Sequence, residues 1–364
     1  MLNILIPTQP DDTHAIYTKL ALNAKGHDAL LWYTADYPTQ QTHSFELLND
    51  ELKWCAEGSD LSINNDVFDI VWNRRPQKPV LSDSIHPDDL NNAEKENSMF
   101  YQTWWQVIAP RAKWINPVNN SKLANSKLLQ LKVAAQIGFK TPDTLISNSP
   151  AKIKEFISHY KPSDVIYKTL YPMFWFENNG IRLTYSKEIS VTDLPSDLAL
   201  QNTPGIFQKK IKKAYELRIT YFGDYPVGVK LRSQEHPKGE MDWRCVPTKE
   251  LIIEECRLPS SLNQSCQEFM KKFGLVFGCF DFIVTPDGDY YFLEINEQGQ
   301  FLWIEDVNPD IKMLDIFTDY LINQESKFVW KKSKNSQSMS DFKEMAKSIQ
   351  RKTMAVHINS PWNS

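Results

Sequence analysis

The sequence predicts an α/β protein: a strand–helix–strand unit with a parallel sheet, followed by a longer α+β region. Three observations carry that expectation. An apolar run over 2–6 stops at Pro7, and a helical pattern over 12–23 leads through Gly26 to a second apolar run over 28–33, which is the spacing of a βαβ unit. Further along, strand-like runs over 217–222 and 225–231 flank Gly223-Asp224 as a hairpin. Another pair, 279–284 and 290–295, flanks Thr-Pro-Asp-Gly-Asp, whose Asp287-Gly288 suits a tight turn.

Composition excludes several classes. At 364 residues the chain has room for two or three domains, and 41% hydrophobic with 24% charged residues is ordinary for a globular protein. A formal net charge of −4 argues against a general nucleic-acid binder, which needs a basic surface. The five cysteines are scattered, with no CxxC and no zinc spacing, so free thiols in a reducing cytoplasm are expected. The opening MLNILIPTQPDD has too short an apolar run for a signal peptide, and no stretch reaches the roughly 18 apolar residues of a membrane span. No membrane partner is expected.

Taken in order, a third strand over 67–72 runs into Asn73-Arg74-Arg75-Pro76, where ligands gather beyond strand ends in open α/β sheets. The two arginines either meet such a ligand or cap a helix and pair with acids. A helix over 91–109 carries Trp104 and Trp105, and a short strand over 114–117 closes a first domain, 1–117. A long helix over 121–137, containing Lys127 and ended by Gly138, opens a second unit, 118–205. It continues with a strand over 144–147, a helix over 151–160 and a strand over 164–169. Lys168 sits on that last strand among apolar neighbours and needs an anion, either a phosphate or an acidic side chain. The aromatic 171–180 stretch is a flap or a packed loop.

A third unit, 206–323, begins with the end of a strand over 205–211 and contains both hairpins. Glu216 and Arg218 lie two apart on one face, as do Lys230 and Arg232, and the polar 233–240 loop delivers Arg244. These cations read as an oxyanion clamp, with edge-strand lysines as the alternative. A helix over 260–273 ends at Gly274, and the last helix spans 308–322. The tail, 324–364, is polar and either partly helical or disordered.

The later hairpin carries the chemistry. Pairing outward from Asp287-Gly288 sets Asp289 against Pro286, Phe292 against Ile283 and Glu294 against Asp281; a four-residue loop preserves that register and an odd-length loop breaks it. Asp281, Glu294 and Asn296 then share one face. The other face carries Phe280, Phe282, Leu293 and Ile295, while Ile283 and Phe292 fall among the acids. Two carboxylates about 5 Å apart repel by roughly 3 kcal/mol at an effective dielectric near 20. A divalent cation with hard oxygen ligands offsets this, and magnesium suits one or two carboxylates completed by water and phosphate.

Lysine on a strand, a hinge, an Arg/Lys hairpin and Asp…Glu-x-Asn on paired strands, in that order, resemble the ATP-grasp superfamily over about 118–322, preceded by a βαβ pre-ATP-grasp domain. VWNRRP, YELRITYFGDYPVGVKLRSQ, DWR and FLEINEQGQFLWIE look more narrowly like the microviridin-type (graspetide) peptide macrocyclases. The resemblance implies a two-lobed ATP-grasp fold and ATP and Mg2+ as cofactors. Lys127 and Lys168 would contact phosphates; Gln208, Lys209 and Ile211 would lie at the adenine hinge, with Glu216 near the ribose. Arg218, Lys230, Arg232 and Arg244 would be catalytic, and Asp281, Glu294 and Asn296 would hold the metal. It further implies phosphorylation of Asp or Glu side chains in a ribosomal precursor peptide, leader and core, then attack by Thr/Ser or Lys to give an ester or amide, in a cytoplasmic homodimer. The 233–240 loop and the neighbouring helix are candidates for leader docking. Two other readings stand beside it: a related ATP-grasp ligase that joins a free amino acid or small amine to a carboxylate, and a nucleotide-dependent peptide-binding module without turnover.

Overall fold

The structure is a computed structural model that describes residues 1–64, 67–161, 164–170, 174–177, 180–183, 186–323 and 327–359, with side chains outside the description for 174–177 and 180–183. The chain opens with β1 (Asn3–Thr8), α1 (Thr13–Ala24) and β2 (Asp28–Tyr33). Asp12 starts α1 by accepting from the His14 and Ala15 amides, as an N-cap carboxylate should. Next come β3 (Gln41–Leu48), β4 (Glu51–Gly58), β5 (Ser62–Asn64), β6 (Ile70–Trp72), α2 (Pro87–Val107) and β7 (Lys113–Ile115). The parallel sheet has the order β2-β1-β6-β7. Along β1, Ile4 and Ile6 enter one core and Leu5 the other, so both faces are covered, as parallel sheets require.

The antiparallel sheet β3-β4-β5 was not expected from the sequence. Its signal is Asn49-Asp50, both at positive φ, between runs that pair Leu48 with Glu51. The sheet explains part of the aromatic richness: Trp54 and His43 stack into a core with Trp32, Trp104 and Trp105, and His43 lies 4.1 Å from Trp104 between ring centroids. These rings fill a core rather than line a ligand surface.

The expected helix over 121–137 is two helices, α3 (Val118–Ala124) and α4 (Lys127–Ile137). Ser126 breaks the run, because its hydroxyl accepts from the Leu129 amide and makes it the N-cap of α4. Then follow β8 (Thr144–Ser147), α5 (Pro150–Ser158), β9 (Val165–Lys168), the strand pair β10 (Phe174–Glu177) and β11 (Gly180–Leu183), β12 (Lys187–Ile189), α6 (Asp197–Asn202) and β13 (Gly205–Lys209). The antiparallel sheet β12-β9-β13-β8 packs on α5 through Ile153, Ile157, Val165 and Phe207. Of the aromatic stretch over 171–180, residues 171–173 and 178–179 lie outside the described residues, and β10 pairs antiparallel with β11.

The last sheet is antiparallel, in the order β16-β15-β14-β17-β18, from β14 (Tyr215–Phe222), β15 (Tyr225–Leu231), β16 (Ile253–Cys256), β17 (Phe277–Val284) and β18 (Tyr290–Asn296). The amphipathic α7 (Ser260–Phe273) covers one face through Leu262, Cys266, Phe269, Met270 and Phe273, which meet Leu217, Ile219, Phe280 and Phe292. α9 (Met313–Ile322) stands where a helix over 308–322 was expected, starting later, and α8 (Leu302–Val307) precedes it. The tail forms α10 (Met339–Val356), started by the Ser338–Asp341 capping box and tied back to the loop after β1 through Thr353 to the Pro10 carbonyl (2.8 Å) and to the turn after β2 through His357 to Asp36 (2.6 Å).

Asn116 clamps the first sheet to the last. Its Nδ2 donates to the Phe277 and Glu297 carbonyls (2.8 Å each), and its Oδ1 accepts from the Val276 and Phe277 amides (2.7 and 3.0 Å). The amide's bonding capacity is fully used. Asn116→Ala should leave buried peptide groups unpaired and cost roughly 3 kcal/mol, visible as a lower calorimetric melting temperature. Unchanged melting would remove the clamp.

Candidate active site

The face of the five-stranded sheet opposite α7 packs Phe222, Val227, Val229 and Phe277 into a core with α9 and, on the same strands, carries Glu216, Arg218 and Asp281. In register, Arg218 on β14 opposes Asp281 on β17, Asp281 opposes Glu294 on β18, and Cys279 opposes Asn296. The connection between β17 and β18 is a five-residue loop, 285–289, so Val284 pairs with Tyr290 and Phe282 with Phe292. That odd loop alone would have put Glu294 on the wrong face. A β-bulge after Asp281 takes up one residue at Leu293 and restores the Asp281–Glu294 pairing. Phe292 therefore belongs to the apolar face with Phe282, not among the acids.

Asp281, Glu294 and Asn296 meet. Asn296 Nδ2 donates to Asp281 Oδ2 (3.1 Å) and to Glu294 Oε1 (3.2 Å). Arg218 Nη1 donates to Asp281 Oδ2 (2.6 Å) and its Nη2 to the Gln300 carbonyl (3.0 Å). Lys127, the first residue of α4, pairs with Glu294 Oε2. The Asp281 and Glu294 side chains are 22% and 34% exposed, so the arginine does not seal the pair from a ligand.

The two carboxyls are driven apart in acidity. Burial would raise Glu294, but Lys127, Lys168 and the Asn296 amide outweigh it and hold it at about 2. Asp281 is raised, because burial and the neighbouring Glu294 together exceed the pull of Arg218. Arg218 is held above its ordinary value despite burial, by Asp281.

The cofactor expected here is magnesium, and the donor set fits it. Two carboxylates and an amide are hard oxygen donors, and an amide can turn either its NH2 or its carbonyl oxygen toward the same point. Among the described residues no group of three or more His, Cys, Asp or Glu forms a metal cluster. Two acids and an amide are too few for an all-protein cage and suit an ion that keeps water and phosphate oxygens.

Around this trio stand most of the expected anion contacts. Lys168 on β9 donates to Gln208 Oε1 on β13 (2.8 Å), and Gln208 Nε2 donates to Thr144 (2.9 Å). Burial lowers the Lys168 ammonium, with Glu294 and Asp242 opposing, which places it electrostatically beside the trio. Ile206, Gln208 and Lys168 lie on the side of the four-stranded sheet away from the α5 core, an apolar surface with polar ends. Lys209 is exposed, its ammonium 5.7 Å over the Tyr160 ring and its amide donating to the Asp143 carbonyl (2.9 Å), and Ile211 is half-buried in the link that follows β13. Glu216, on the Arg218 face, accepts from Lys213 Nζ (2.7 Å) and Ser233 Oγ (3.0 Å), and burial raises its carboxyl. Arg244 is held by Asp242 through Nε (2.8 Å), and Glu294 and Asp281 further stabilise its charge.

Two expected catalytic cations lie elsewhere. The register places Lys230 opposite Leu217 and Leu231 opposite Glu216, so Lys230 projects to the helix-covered face, 5.1 Å over the Tyr215 ring. Arg232 lies past the strand end and forks onto Glu254 (2.9 Å) and Glu235 (2.9 Å) at the surface. The parity of the Gly223-Asp224 turn required this: with Phe222 opposite Tyr225, even-numbered residues of β14 face odd-numbered residues of β15. Arg74 is structural, buried against Asp12 (2.9 Å) and donating to the Gln298 and Gly299 carbonyls (2.6 and 2.8 Å). The sequence reading did not single out Lys213, Gln130 or His14. His14 is pushed down to about 3 by burial, stays neutral, and accepts from the Phe301 and Leu302 amides at the start of α8 (3.1 Å each).

No family model matches the chain, nor does any curated protein. Solved structures do. A RiPP-associated ATP-grasp ligase of Chryseobacterium gregarium, in complex with ADP and a leader and core peptide, is similar at 25% identity and TM-score 0.78, over 88% of this chain and 96% of that one. The macrocyclase MdnC of Microcystis aeruginosa, bound with its precursor peptide MdnA, is similar at 26% identity and TM-score 0.76, over 89% and 100%. The ligase PsnB, complexed with a variant of its minimal precursor, magnesium and ADP, is similar at 20% identity and TM-score 0.65, over 88% and 98%, a likeness of fold alone.

Proposed function

We propose that this chain, an ATP-grasp ligase of the graspetide type, uses ATP and magnesium to activate Asp or Glu side chains of a ribosomal precursor peptide and to close them into ester or amide crosslinks. The observation that carries the reading is the meeting of Asp281, Glu294 and Asn296 on one sheet face, ringed by Lys127, Lys168, Arg218 and Arg244.

A carboxylate is a poor electrophile, and phosphoryl transfer asks a protein chiefly for positioning and charge neutralisation. A substrate carboxylate oxygen attacks the terminal phosphorus of ATP and ADP leaves. A Thr/Ser hydroxyl or a Lys amine of the same peptide then attacks the acyl carbon, and inorganic phosphate leaves. Magnesium, when bound, neutralises charge on the nucleotide's phosphates, and Asp281, Glu294 and Asn296 would hold it. Lys127 and Lys168 steady the phosphates. Arg218 and Arg244 face the charge that grows during transfer, while Gln208 and the 209–211 backbone border the adenine side and Glu216 the ribose. Lys230 and Arg232 take no part. The division into 1–117, 118–205, 206–323 and 324–364 belongs to the same reading.

Incubation with ATP, magnesium and a peptide bearing Thr- and Glu/Asp-rich core repeats tests it by mass spectrometry. One water should be lost and one ADP formed per crosslink. Gain of an amino-acid mass would replace the proposal with ligation of a free amino acid. We extend the reading to a homodimer, which light scattering checks, and to the cytoplasm. Five free cysteines fit a reducing compartment, and among the described residues no helix is long and apolar enough to cross a membrane.

A further inference from the structure

β18 is an edge strand, and at Ile295 both backbone groups point outward, away from β17. Edge groups normally meet water or another strand. Here they meet one buried side chain. Gln130, at the end of the first turn of α4 and 1% exposed, accepts from the Ile295 amide through Oε1 (2.9 Å) and donates to the Ile295 carbonyl through Nε2 (3.0 Å). The same Nε2 donates to the Ala124 carbonyl at the end of α3. A carboxamide thus stands in for the neighbouring peptide that an edge strand lacks.

Ile295 lies between Glu294 and Asn296, and Lys127 lies three residues before Gln130 on the same side of α4. Lys127 reaches Glu294, and Asn125, in the break between the two helices, donates to Glu297 Oε1 (2.7 Å). The helix face that carries Gln130 is therefore also the one that supplies the cation beside the carboxylate. Each backbone bond to Ile295 restrains a peptide plane that joins it to Glu294 or Asn296.

We propose that Gln130 is a positioning residue of the metal centre, acting through the Ile295 backbone to hold Glu294 and Asn296 where a divalent cation needs them. The proposal rests on the magnesium-dependent ligase reading. Groups that orient first ligands without touching the metal commonly change its affinity 10- to 100-fold when removed. Gln130 meets that description without being polar toward the site itself.

Gln130→Met keeps the length and volume of the side chain and removes both bonds to Ile295 together with the one to Ala124. Two measurements on the full chain test it. Electron paramagnetic resonance of Mn2+ with ADP should show affinity weakened about tenfold or more. Hydrogen exchange without metal should show the Ile295 amide losing protection while the β14 amides keep theirs. Wild-type Mn2+ affinity would overturn the proposal, whatever the protection of the Ile295 amide. If Gln130→Met does not fold, Gln130→Glu, which keeps an acceptor for the Ile295 amide and loses the donor, is measured in the same way; wild-type affinity there overturns it too. Failure of the wild-type protein to bind Mn2+ with ADP would instead remove the ligase reading.

Discussion

Glu294→Gln is expected to lower magnesium-dependent ADP formation by roughly two to three orders of magnitude while leaving peptide binding largely intact. The substitution keeps the shape of the side chain and removes one charge. Of the two carboxyls it is the more firmly charged: against burial, Lys127, Lys168 and the Asn296 amide hold Glu294 well below the usual carboxylate range. Asp281 directly across the strand pair has a raised pKa and takes a proton first as pH falls. A cation that needs carboxylate ligands therefore depends more on Glu294 than on its partner, and its affinity should weaken with acidification through Asp281. A coupled ADP-release assay and fluorescence polarisation of a labelled peptide separate the two effects. Undiminished ADP release would remove the metal assignment and with it the reason to treat this face as a phosphoryl-transfer site.

Much of this site was legible because it depends on local pairing. Asp281 and Glu294 are separated by one hairpin, and alternation along each strand puts Asn296 with them. The path there was not legible: an odd loop and a bulge cancel, and a bulge is not visible in a pattern of alternating residues. Lys230 and Arg232 failed for the opposite reason. Spacing within one strand shows that two residues share a face, not which face, and only the register across Gly223-Asp224 decides that. The antiparallel sheet begun by β3 was missed although Asn49-Asp50 is a turn signal between alternating runs, because no apolar stripe announced it.

What remained out of reach involves partners far apart in the chain. Gln130 meets Ile295, Arg74 meets Gln298 and Gly299, and Asn116 meets Phe277 and Glu297, all set by how the sheets dock. Amide and guanidinium side chains at these joints satisfy backbone groups at sheet edges and element ends, a requirement that every fold imposes but that no spacing encodes. These joints flank the strands that carry Asp281, Glu294 and Asn296, so the side chains that meet were readable while the docking of the sheets around them was not.

Arg218→Met should have its main effect on stability and its second on rate. The guanidinium is almost wholly buried and lies 2.6 Å from Asp281 Oδ2, with the Gln300 carbonyl on its other arm. Removing it leaves a carboxylate facing Glu294 across the strand pair with no counter-charge on that side, and breaking such a buried pair costs about 3–5 kcal/mol. Asp281 should then be raised further and protonate nearer neutrality, so the variant should lose less stability at acid pH than at neutral pH. Magnesium with ADP would restore positive charge beside Asp281 and should raise the variant's melting temperature more than it raises that of the wild-type protein. Calorimetry with and without magnesium and ADP reads the stability loss and its rescue, and ADP release reads the rate. Arg232→Met provides the contrast, since its pairs with Glu254 and Glu235 lie at the surface, and it should leave melting and ADP release unchanged. If the two variants melted alike, the Arg218–Asp281 pair would not be holding this face together, and the charge balance assigned to the site would need another source.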